Sequence, residues 1–367
     1  MNNKKTPLLA SKTKSGVDIK RIFVQKLMIW NRKQNTREMP WKNEKEPYKI
    51  WVSEIILQQT RVEQGLKYYE NFIKTFPSVN ALAKAPSEKV FKLWEGLGYY
   101  SRCRNLIESA KYISHDLKGV FPKNYSSILQ LKGVGEYTAS AIASFAYNLP
   151  HAVLDGNVFR VLSRIFSLEM AIDSVQGKHY FSELAQDILP TRKAGEYNQA
   201  IMDFGAVVCK PYPDCKVCFF NRHCLAYLNG KQDLLPVKQK KVTVSERWLN
   251  YFIVRYKDQI LVRKRVSKDI WQQLFEFVLI ETEKFHKEEE LLPLFRKQYG
   301  FPKYESSFLH WTKQRISHQV INFSFYEIIV PRIETIVGFT WVKLHDLKKY
   351  AFPKSLQELV VNYDKSV

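Results

Sequence analysis

Clustered cysteines give the most specific chemical signal in this sequence. Cys209, Cys215, Cys218 and Cys224 fall within sixteen positions in the spacing C-x5-C-x2-C-x5-C, whereas Cys103 stands alone. Five cysteines in 367 residues do not make a disulfide framework, so metal binding in a reducing compartment is the better interpretation. Thiolates at such intervals can hold a [4Fe–4S] cluster, and ligand type alone leaves zinc open as the alternative. Cys103 is expected to be a small buried hydrophobe.

A carboxylate in an apolar helical pattern is the second candidate. Glu54 lies in the segment WVSEIILQQTR, residues 51–61, and Gln58 follows it at helical spacing. Apolar residues from Val52 to Phe76 recur at three- and four-residue steps, so we predict one amphipathic helix with Glu54 beside its buried stripe. The structural alternative is a solvated Glu in a first helical turn, where the helix dipole favours an acid.

The segment LKGVGEYTA, from Leu131 to Ala139, predicts a helix-hairpin-helix. Gly133 and Gly135 flank Val134, and two glycines permit a tight reversal that brings the backbone close to a partner. The N–H groups at the start of the next helix are then free to bind a phosphate. A plain helical turn would need only one glycine, so phosphate binding is the favoured interpretation.

Three other segments allow two interpretations each. Asp155, in LDGNVFRVL, is either a helix N-cap or a second catalytic carboxylate that projects after the hairpin. The segment WEGLGYYSRCR contains Tyr99 and Tyr100 beside two arginines. Their rings either stack on nucleic-acid bases or are half-buried in the protein. Arg37, which precedes Met39-Pro40-Trp41, is either a solvated loop charge or a group that reaches into a cleft.

The charge balance indicates a polyanionic partner. Lys and Arg number 57 against 36 Asp and Glu, a formal net charge of +21 that attracts polyanions and speeds their association. Nucleic acid is the leading partner class; a membrane surface competes, but no apolar run is long enough to span a bilayer. Residues 1–17 lack an apolar signal core, so we expect a basic arm, and an organelle transit peptide is disfavoured because the basic residues there are all Lys.

The candidate residues lie in a helical region that is followed by a strand-rich region, which indicates two domains. The length of 367 residues also favours two domains. Helical patterns begin at Asp18, a possible cap, and continue to residue 228. Residues 229–246 are polar, Lys-rich and broken by Pro236, which is typical of a linker. Beyond it the sequence predicts strands at 248–256, 259–265 and 319–330, with helices near 288–299 and 355–363.

These motifs together resemble the base-excision glycosylases of the endonuclease III superfamily. WVSEIILQQTR, WEGLGYYSR, LKGVGEYTA and LDGNVFRVLSR are most similar to the MutY family of adenine DNA glycosylases, across essentially the whole chain. The family's cysteine pattern is one residue longer in its first interval, and Phe219 stands where Pro is usual. Lyase-type relatives carry a Lys nucleophile where this chain has Tyr137, so a strand-cutting lyase is disfavoured.

The resemblance implies a [4Fe–4S] cluster on the four clustered cysteines and roles for several side chains. Glu54 would protonate adenine at N7, because an unprotonated purine is a poor leaving group. Asp155 would stabilise the oxocarbenium-like sugar cation, as in glycoside hydrolysis. The other implied roles are the positioning of both carboxylates by Asn157 and Tyr137, the holding of the extruded adenine by Arg37 and Gln199, and wedging into the base stack by Gln59 and Tyr99 during base flipping.

The segment IWQQLFEF, residues 270–277, resembles the signature of a Nudix-like fold. No R-E-x-x-E-E run follows it, and pyrophosphate hydrolysis needs those carboxylates for its metal. We therefore interpret this domain as a recognition module that has the fold without the chemistry. Ser317 and His318 match the family's F-S-H motif that contacts 8-oxoguanine, with Ile316 in place of Phe.

The sequence thus predicts an α+β fold, with an all-α helix-hairpin-helix glycosylase domain that carries an iron–sulfur cluster loop and a C-terminal α/β Nudix-like domain. The expected boundaries are 1–17 for the basic arm, 18–228 for the glycosylase domain, 229–246 for the linker and 247–367 for the Nudix-like domain. The expected activity is monofunctional removal of adenine opposite 8-oxoguanine or guanine in duplex DNA, by a monomer in the cytoplasm and nucleoid of a bacterium. The alternatives are a non-catalytic lesion sensor and a Nudix nucleotide hydrolase.

Overall fold

The computed structural model describes residues 18–239, 244–316 and 318–365, and only the backbone of residues 362–365. The predicted basic arm and part of the predicted linker lie outside the described residues. The α-helices are α1 (Ile19–Lys33), α2 (Pro47–Leu57), α3 (Val62–Thr75), α4 (Val79–Lys84), α5 (Ser87–Trp94), α6 (Ser101–His115), α7 (Tyr125–Leu129), α8 (Glu136–Tyr147), α9 (Gly156–Ile165), α10 (Val175–Asp187), α11 (Ala194–Val207), α12 (Leu225–Leu228), α13 (Glu288–Tyr299) and α14 (Lys354–Lys365), with 3-10 turns at Thr191–Lys193 and Leu344–Lys349. The strands are β1 (Ser245–Tyr256), β2 (Gln259–Lys264), β3 (Phe275–Glu276), β4 (Val278–Thr282), β5 (Glu305–Ile316), β6 (Gln319–Ile329) and β7 (Thr340–Lys343).

The described residues form two compact units. The first takes those of Met1–Val62 and Ser109–Lys240, and the second those of Glu63–Glu108 and Lys241–Val367. Residues 63–108, which the sequence boundaries place in the glycosylase domain, therefore group with the sheet, and the domain boundaries themselves stay a prediction. In the described part of the chain, no helix is long and apolar enough to cross a membrane.

The single helix predicted from Val52 to Phe76 is wrong. Helix α2 ends at Leu57 and α3 begins at Val62, with Gln59 between them at a φ of 58°. A right-handed helix cannot continue through a residue in that left-handed conformation. Glu54 consequently lies near the end of α2 rather than in a first turn, and with 6% of its surface exposed it is not a solvated residue.

The core of the first unit lies between α1, α8, α9, α10 and α11. Its largest fully buried side chains include Phe23, Phe181, Tyr197 and Phe204, and burying each apolar side chain of this size contributes roughly 1.5–3 kcal/mol. The α9 and α11 backbones approach closely, because a Cβ on Gly205 would lie 2.7 Å from the Cβ of Asn157. This contact fixes α11 against the helix whose first turn carries Asp155 and Asn157.

The predicted helix-hairpin-helix is formed by α7 and α8. Helix α7 is capped by Asn124, whose side chain accepts a hydrogen bond from the Ser127 N–H at 2.9 Å. The chain then reverses through Gly133, which has a φ of 82°. Helix α8 starts after Gly135, which gives no side-chain cap, and its residues from Thr138 to Ser144 are all buried.

The second unit contains a sheet of seven strands among the described residues, in the order β3-β2-β1-β6-β5, with β4 paired to β1 and β7 paired to β2. Strands β1 and β6 are parallel, from the pair Ser245 and Gln319 to the pair Arg255 and Ile329. Helix α13 covers one face, where Phe295 stacks on Phe252 with ring centroids 4.7 Å apart. The strands and helices predicted for this region are confirmed, whereas β5 was not predicted because its first seven residues are exposed on both faces and show no apolar alternation.

Candidate active site

Three side chains from separate helices meet in the first unit. Glu54 is buried on α2, Tyr137 lies in the first turn of α8, and Asp155 is the N-cap of α9. The Tyr137 hydroxyl donates a hydrogen bond to the Glu54 carboxylate, and Asp155 is close enough for its charge to act on both of them. The fold therefore brings together two carboxyl groups that lie far apart in the sequence.

Burial controls the protonation of this group. It raises the pKa of Glu54 to about 7, the hydrogen bond from Tyr137 opposes that rise, and the charge of Asp155 adds to it. Burial also raises the pKa of Asp155, against hydrogen bonds from the Val158 N–H and from Asn157. The pKa of Tyr137 is far above its usual value because the hydroxyl is buried beside both acids. Glu54 can thus carry a proton at neutral pH.

Asp155 and Asn157 are fixed by a chain of hydrogen bonds. Asp155 Oδ1 accepts from the Val158 N–H at 2.7 Å, as an N-cap does, and its Oδ2 accepts from Asn157 Nδ2 at 2.9 Å. Arg160 Nη2 donates to Asn157 Oδ1 and to the Gly205 carbonyl oxygen, both at 2.8 Å. Both oxygens of Asp155 are therefore held, and the N-cap interpretation of Asp155 is confirmed.

The two residues predicted to hold adenine meet at an acid that the sequence interpretation missed. Arg37 Nη1 and Gln199 Nε2 donate to Oδ1 of Asp203 at 2.8 and 2.9 Å, and Asn35 and Lys42 bind Oδ2 at 2.8 and 3.1 Å. Asp203 is fully buried. Arg37 is thus an ion-paired group and not a solvated loop charge. The sequence feature that could have indicated Asp203 is its position as the one acid in the apolar segment IMDFGAV, four residues after Gln199.

The two residues predicted to enter the base stack share an unusual backbone conformation. Gln59 has a φ of 58° and Tyr99 a φ of 48°, and both side chains are exposed. Non-glycine residues in this conformation cost of order 1–3 kcal/mol each and concentrate at functional sites. Tyr99 is 44% exposed with its ring under the Arg102 guanidinium, whereas Tyr100 is buried. The two tyrosines are therefore not equivalent.

The hairpin presents its backbone on the surface. Gly133 and Gly135 are exposed while Val134 is buried, so the apolar residue anchors the turn. A Cβ at Gly135 would meet no atom within 4 Å, which leaves open space beside the first N–H groups of α8. This geometry is the one that a helix N-terminus needs in order to contact a phosphate.

The four clustered cysteines line a single cavity. Arg164 Nη1 donates to Cys209 Sγ at 3.6 Å, and Cys224 Sγ donates to the Arg164 carbonyl oxygen at 3.3 Å. Burial raises the pKa of Cys218 to about 11 and that of Cys224 to about 12, so these thiols must lose protons when they bind a metal. Four thiols around one cavity fit a metal group bound by thiolates. Among the described residues, however, no three His, Cys, Asp or Glu side chains are placed so that they could hold a single metal ion.

In the second unit, His318 lines a cavity of about 510 Å³, and Ser317 lies outside the described residues. Glu276, the acid of the Nudix-like signature, is 1% exposed and forms ion pairs with Arg263 and Arg265. Tyr251 also donates a hydrogen bond to it at 3.2 Å. Glu276 therefore acts as the centre of a buried ionic network.

Comparisons with known families and structures agree with this architecture. Residues 52–188 match the family described as HhH-GPD superfamily base excision DNA repair protein, and residues 250–361 match the NUDIX domain. The structure of a thermostable thymine-DNA glycosylase is 28% identical, with a TM-score of 0.52 over 57% of this chain and 97% of that one. An endonuclease III trapped in a covalent DNA intermediate is 18% identical, with a TM-score of 0.50 over 58% of this chain and 99% of that one, and so shows the fold alone. The predicted fold class is confirmed.

Several similar proteins are named adenine DNA glycosylase, and some of them match almost the whole chain. The protein of Buchnera aphidicola from Acyrthosiphon pisum is 31% identical over 355 residues, which cover 95% of this chain and 99% of that one. The human protein is 38% identical over 223 residues, which cover 58% of this chain and 41% of that one. Because the identity to the Buchnera protein extends along almost all of both chains, and a base excision repair domain is matched from residue 52, the chain belongs to the adenine DNA glycosylase family of DNA repair enzymes.

Proposed function

We propose that this chain is a monofunctional glycosylase that removes adenine mispaired with 8-oxoguanine or guanine in duplex DNA and leaves an abasic site. The observation that carries the proposal is the pair Glu54 and Asp155, a buried and a half-buried carboxyl group that both lie close to the Tyr137 hydroxyl, with a pKa of about 7 for Glu54. Two acids in one low-dielectric site resist ionising together, so the form with one proton on the pair is well populated at neutral pH. That is the charge state that glycoside hydrolysis requires.

Each acid then has a distinct part in the reaction. Protonated Glu54 gives its proton to N7 of the extruded adenine, so that the C1′–N9 bond breaks with its electron pair leaving on a neutral base. Asp155, held on both oxygens, faces the positive charge that develops at C1′ and stabilises it. Water adds at C1′ and loses a proton to the carboxylate pair, which restores Glu54 and gives free adenine and an abasic sugar.

Tyr137 supports the monofunctional outcome. A strand-cutting lyase needs an amine that forms a Schiff base with the sugar, and this position holds a buried phenol instead. The hydroxyl donates to Glu54, and its raised pKa keeps it protonated as a donor. Tyr137 thus orients the acid and provides no nucleophile.

The other predicted residues complete the proposal around the DNA. Arg37 and Gln199, oriented by Asp203, hold the flipped adenine, and Gln59 and Tyr99 enter the stack that it leaves. Flipping a base out of the duplex costs a few kcal/mol, and the cost is lowest where the base is already mispaired. The mispair itself therefore contributes to selectivity. The hairpin 133–135 holds a phosphate, and Ser317 with His318 contacts 8-oxoguanine. We propose that the enzyme works as a monomer on the bacterial nucleoid.

A [4Fe–4S] cluster on Cys209, Cys215, Cys218 and Cys224 belongs to the same proposal. The support is that all four thiols line one cavity next to Arg164. When bound, the cluster would cross-link residues 209–224 into a rigid basic loop. Zinc is the alternative metal, and metal analysis of the purified chain distinguishes the two because a cluster brings about four irons per chain together with visible absorption.

The test is strand cleavage by alkali after incubation with duplexes in which adenine lies opposite 8-oxoguanine, guanine, cytosine or thymine. We expect a break at the adenine with 8-oxoguanine and guanine, and much slower reaction with cytosine and thymine. Intact strands with retained binding would instead indicate the lesion sensor. Glu54→Gln should bind the same duplexes but release no adenine, so appreciable excision by this variant would remove Glu54 from its role. Cleavage of 8-oxo-dGTP by the purified chain would favour the nucleotide hydrolase.

A further inference from the structure

Glu95, directly after α5, joins the helical segment 63–108 to the sheet within the second unit. Its Oε1 accepts a hydrogen bond from the Phe352 N–H at 2.8 Å, and its Oε2 accepts from Lys92 Nζ at 2.6 Å. Lys92 Nζ also donates to the Tyr350 carbonyl oxygen at 3.0 Å. Two side chains of the α5 region therefore hold two backbone groups that lie just before α14. We call Lys92, Glu95, Tyr350 and Phe352 the clamp.

On the helical side, the clamp is continuous with the turn that presents Tyr99. The Glu95 carbonyl oxygen accepts from the Tyr68 hydroxyl at 2.9 Å, and the next residue, Gly96, has a φ of 88° with its N–H bound to Tyr100 Oη at 3.1 Å. A Cβ on Gly96 would lie 2.7 Å from the Tyr68 hydroxyl, so the turn is closely packed. Glu95 is consequently bound, through its own carbonyl oxygen and through the next residue, to the closely packed turn that contains Tyr99.

On the sheet side, the clamp is continuous with the start of α14. Phe352 is 1% exposed and stacks on Phe277 with ring centroids 5.4 Å apart, so its backbone is anchored in the core. Lys354 and Ser355 follow, and the Ser355 hydroxyl donates to Gln314 Oε1 at 2.5 Å. Gln314 lies two residues before Ile316 on β5, close in sequence to the predicted contact at His318.

These two sides are the walls of the cavity of about 510 Å³. The helical wall contains Gly96, Tyr99 and Arg104, and the sheet wall contains Trp271, Gln314, Ile316, His318 and Lys354. Glu95 is one residue from the first wall and Phe352 is two residues from the second. The clamp is thus the polar link between the residue predicted to enter the base stack and the residue predicted to contact 8-oxoguanine.

We propose that Glu95 is a positioning residue for selection of the base opposite adenine, because with Lys92 it sets the distance between the two walls of this cavity. The inference rests on the proposed function. A base is distinguished by a few hydrogen bonds, and a displacement of about 1 Å is enough to cost a site of this kind about a hundredfold in rate. Loss of the clamp should therefore slow excision opposite 8-oxoguanine more than excision opposite guanine.

A second ion pair in the same unit provides the matched control. Lys264 Nζ lies 2.7 Å from Glu88 Oε1 and also links the α5 helix to the sheet, through β2. Neither residue lines the cavity. Exposed ion pairs contribute little to stability, so Glu88→Gln removes a contact of the same kind without changing the distance between the walls.

The experiment measures single-turnover excision by the full chain with adenine opposite 8-oxoguanine and opposite guanine. Glu95→Ala removes the two contacts that Glu95 makes, with the Phe352 N–H and with Lys92, and leaves the hydrogen bond from Lys92 to the Tyr350 carbonyl oxygen. Glu95→Gln keeps an oxygen for the Phe352 N–H and should rescue part of the effect. We expect the preference for 8-oxoguanine over guanine to fall about tenfold in Glu95→Ala and less in Glu95→Gln, with excision opposite guanine within about twofold of the unaltered chain. Glu88→Gln should keep the full preference.

The outcomes separate this inference from the proposed function. If the unaltered chain excises no adenine, or shows no preference between the two opposite bases, the proposed function fails and the role of Glu95 fails with it. If the unaltered chain shows the preference and Glu95→Ala keeps it, only the role of Glu95 is overturned. Equal loss opposite both bases, accompanied by a lower melting temperature, would show a merely structural contact and would also overturn it. Selective loss that Glu88→Gln does not share supports it.

Discussion

Arg37 and Gln199 donate hydrogen bonds to the same atom, Oδ1 of the buried Asp203, at 2.8 and 2.9 Å. They come from a loop before α2 and from α11, and this shared acceptor fixes one side chain relative to the other. Arg37 keeps its remaining N–H donors and Gln199 keeps its carbonyl oxygen for other partners. The orientation of the proposed adenine pocket therefore depends on a residue that is itself fully buried.

Asp203→Asn should reduce adenine excision by about a hundredfold, because an amide cannot accept from Arg37 and Gln199 as a carboxylate does and small displacements at a reacting centre are costly. Loss of the buried charge should also destabilise the fold by about 3–5 kcal/mol, since Arg37 and Lys42 lose their partner. Single-turnover rates and urea denaturation measure the two effects. Glu196→Gln is the control. Glu196 lies on α11, as Asp203 does, and its ion pair with Arg32 of α1 is exposed, so this change should leave the excision rate and the stability unchanged.

The rate of excision should depend on pH through Glu54. Because its pKa is raised to about 7 and the protonated form donates to adenine, kcat/KM should fall about tenfold per pH unit above about 7. Measurements from pH 5.5 to about 9 on the duplex with 8-oxoguanine would show this limb. A rate that stays constant to pH 9 would contradict the assignment of Glu54 as the acid.

Tyr137→Phe should move that limb to higher pH. The Tyr137 hydroxyl stabilises the ionised form of Glu54, so its removal raises the pKa of Glu54 further. The variant should lose activity at neutral pH because Glu54 is less well oriented, yet its loss relative to the unaltered chain should shrink as pH rises. A limb that shifts to lower pH would show that the hydroxyl does not donate to Glu54.

Stability should also respond to Glu54. Its pKa is higher in the folded state, about 7, than its usual value of 4.5, so the folded chain binds the proton more tightly and loses stability as pH rises through that interval. The loss due to Glu54 alone is about 3 kcal/mol between pH 4.5 and pH 8. Glu54→Gln removes this titration and should be more stable than the unaltered chain at pH 8. Urea denaturation of both proteins at pH 5 and pH 8 provides the comparison.

The cysteines can be tested separately from catalysis. Cys215→Ser should lower the iron content and the visible absorption of the purified protein, and a chelator should lower its melting temperature if the metal contributes to folding. Cys103→Ala is the control because Cys103 is buried and does not line the cavity of the four thiols. The iron content of this variant should be that of the unaltered chain. Equal iron in Cys215→Ser and Cys103→Ala would exclude Cys215 as a ligand.

Features encoded by neighbouring residues could be predicted from the sequence. The Asp18 cap, the hairpin at Gly133 and Gly135, and the Asp155 cap depend on contacts within four residues, and the structure has all of them. The convergence of Glu54 and Asp155 required the resemblance to a known family, because nothing in either segment specifies the other. Asp203 could not be predicted for the same reason, since Arg37 and Lys42 reach it from a distant loop.

One error arose where apolar steps resume beyond a break. Ile56 and Val62 are six residues apart, so the three- and four-residue steps are interrupted between α2 and α3, and the prediction of one helix passed over this gap. The left-handed φ of Gln59, which ends the right-handed helix, is not encoded by the residue type, because many residue types tolerate that conformation at a cost. Strand β5 lies at a sheet edge with little buried surface, which removes the alternation that predicts a strand.

The second unit is assembled from two stretches of chain, 63–108 and 241–367, and this has a practical consequence. Cutting the polypeptide after residue 239 would remove only one of the two stretches and would leave residues 63–108 without the other. Lys92 would lose its carbonyl acceptor on Tyr350, Glu95 would lose its amide donor on Phe352, and α5 would expose surface that the intact protein covers. Poor activity of a shortened enzyme would therefore reflect damage to the remaining helices as well as loss of the sheet. Point substitutions are the sounder way to separate the contributions of the two stretches of chain.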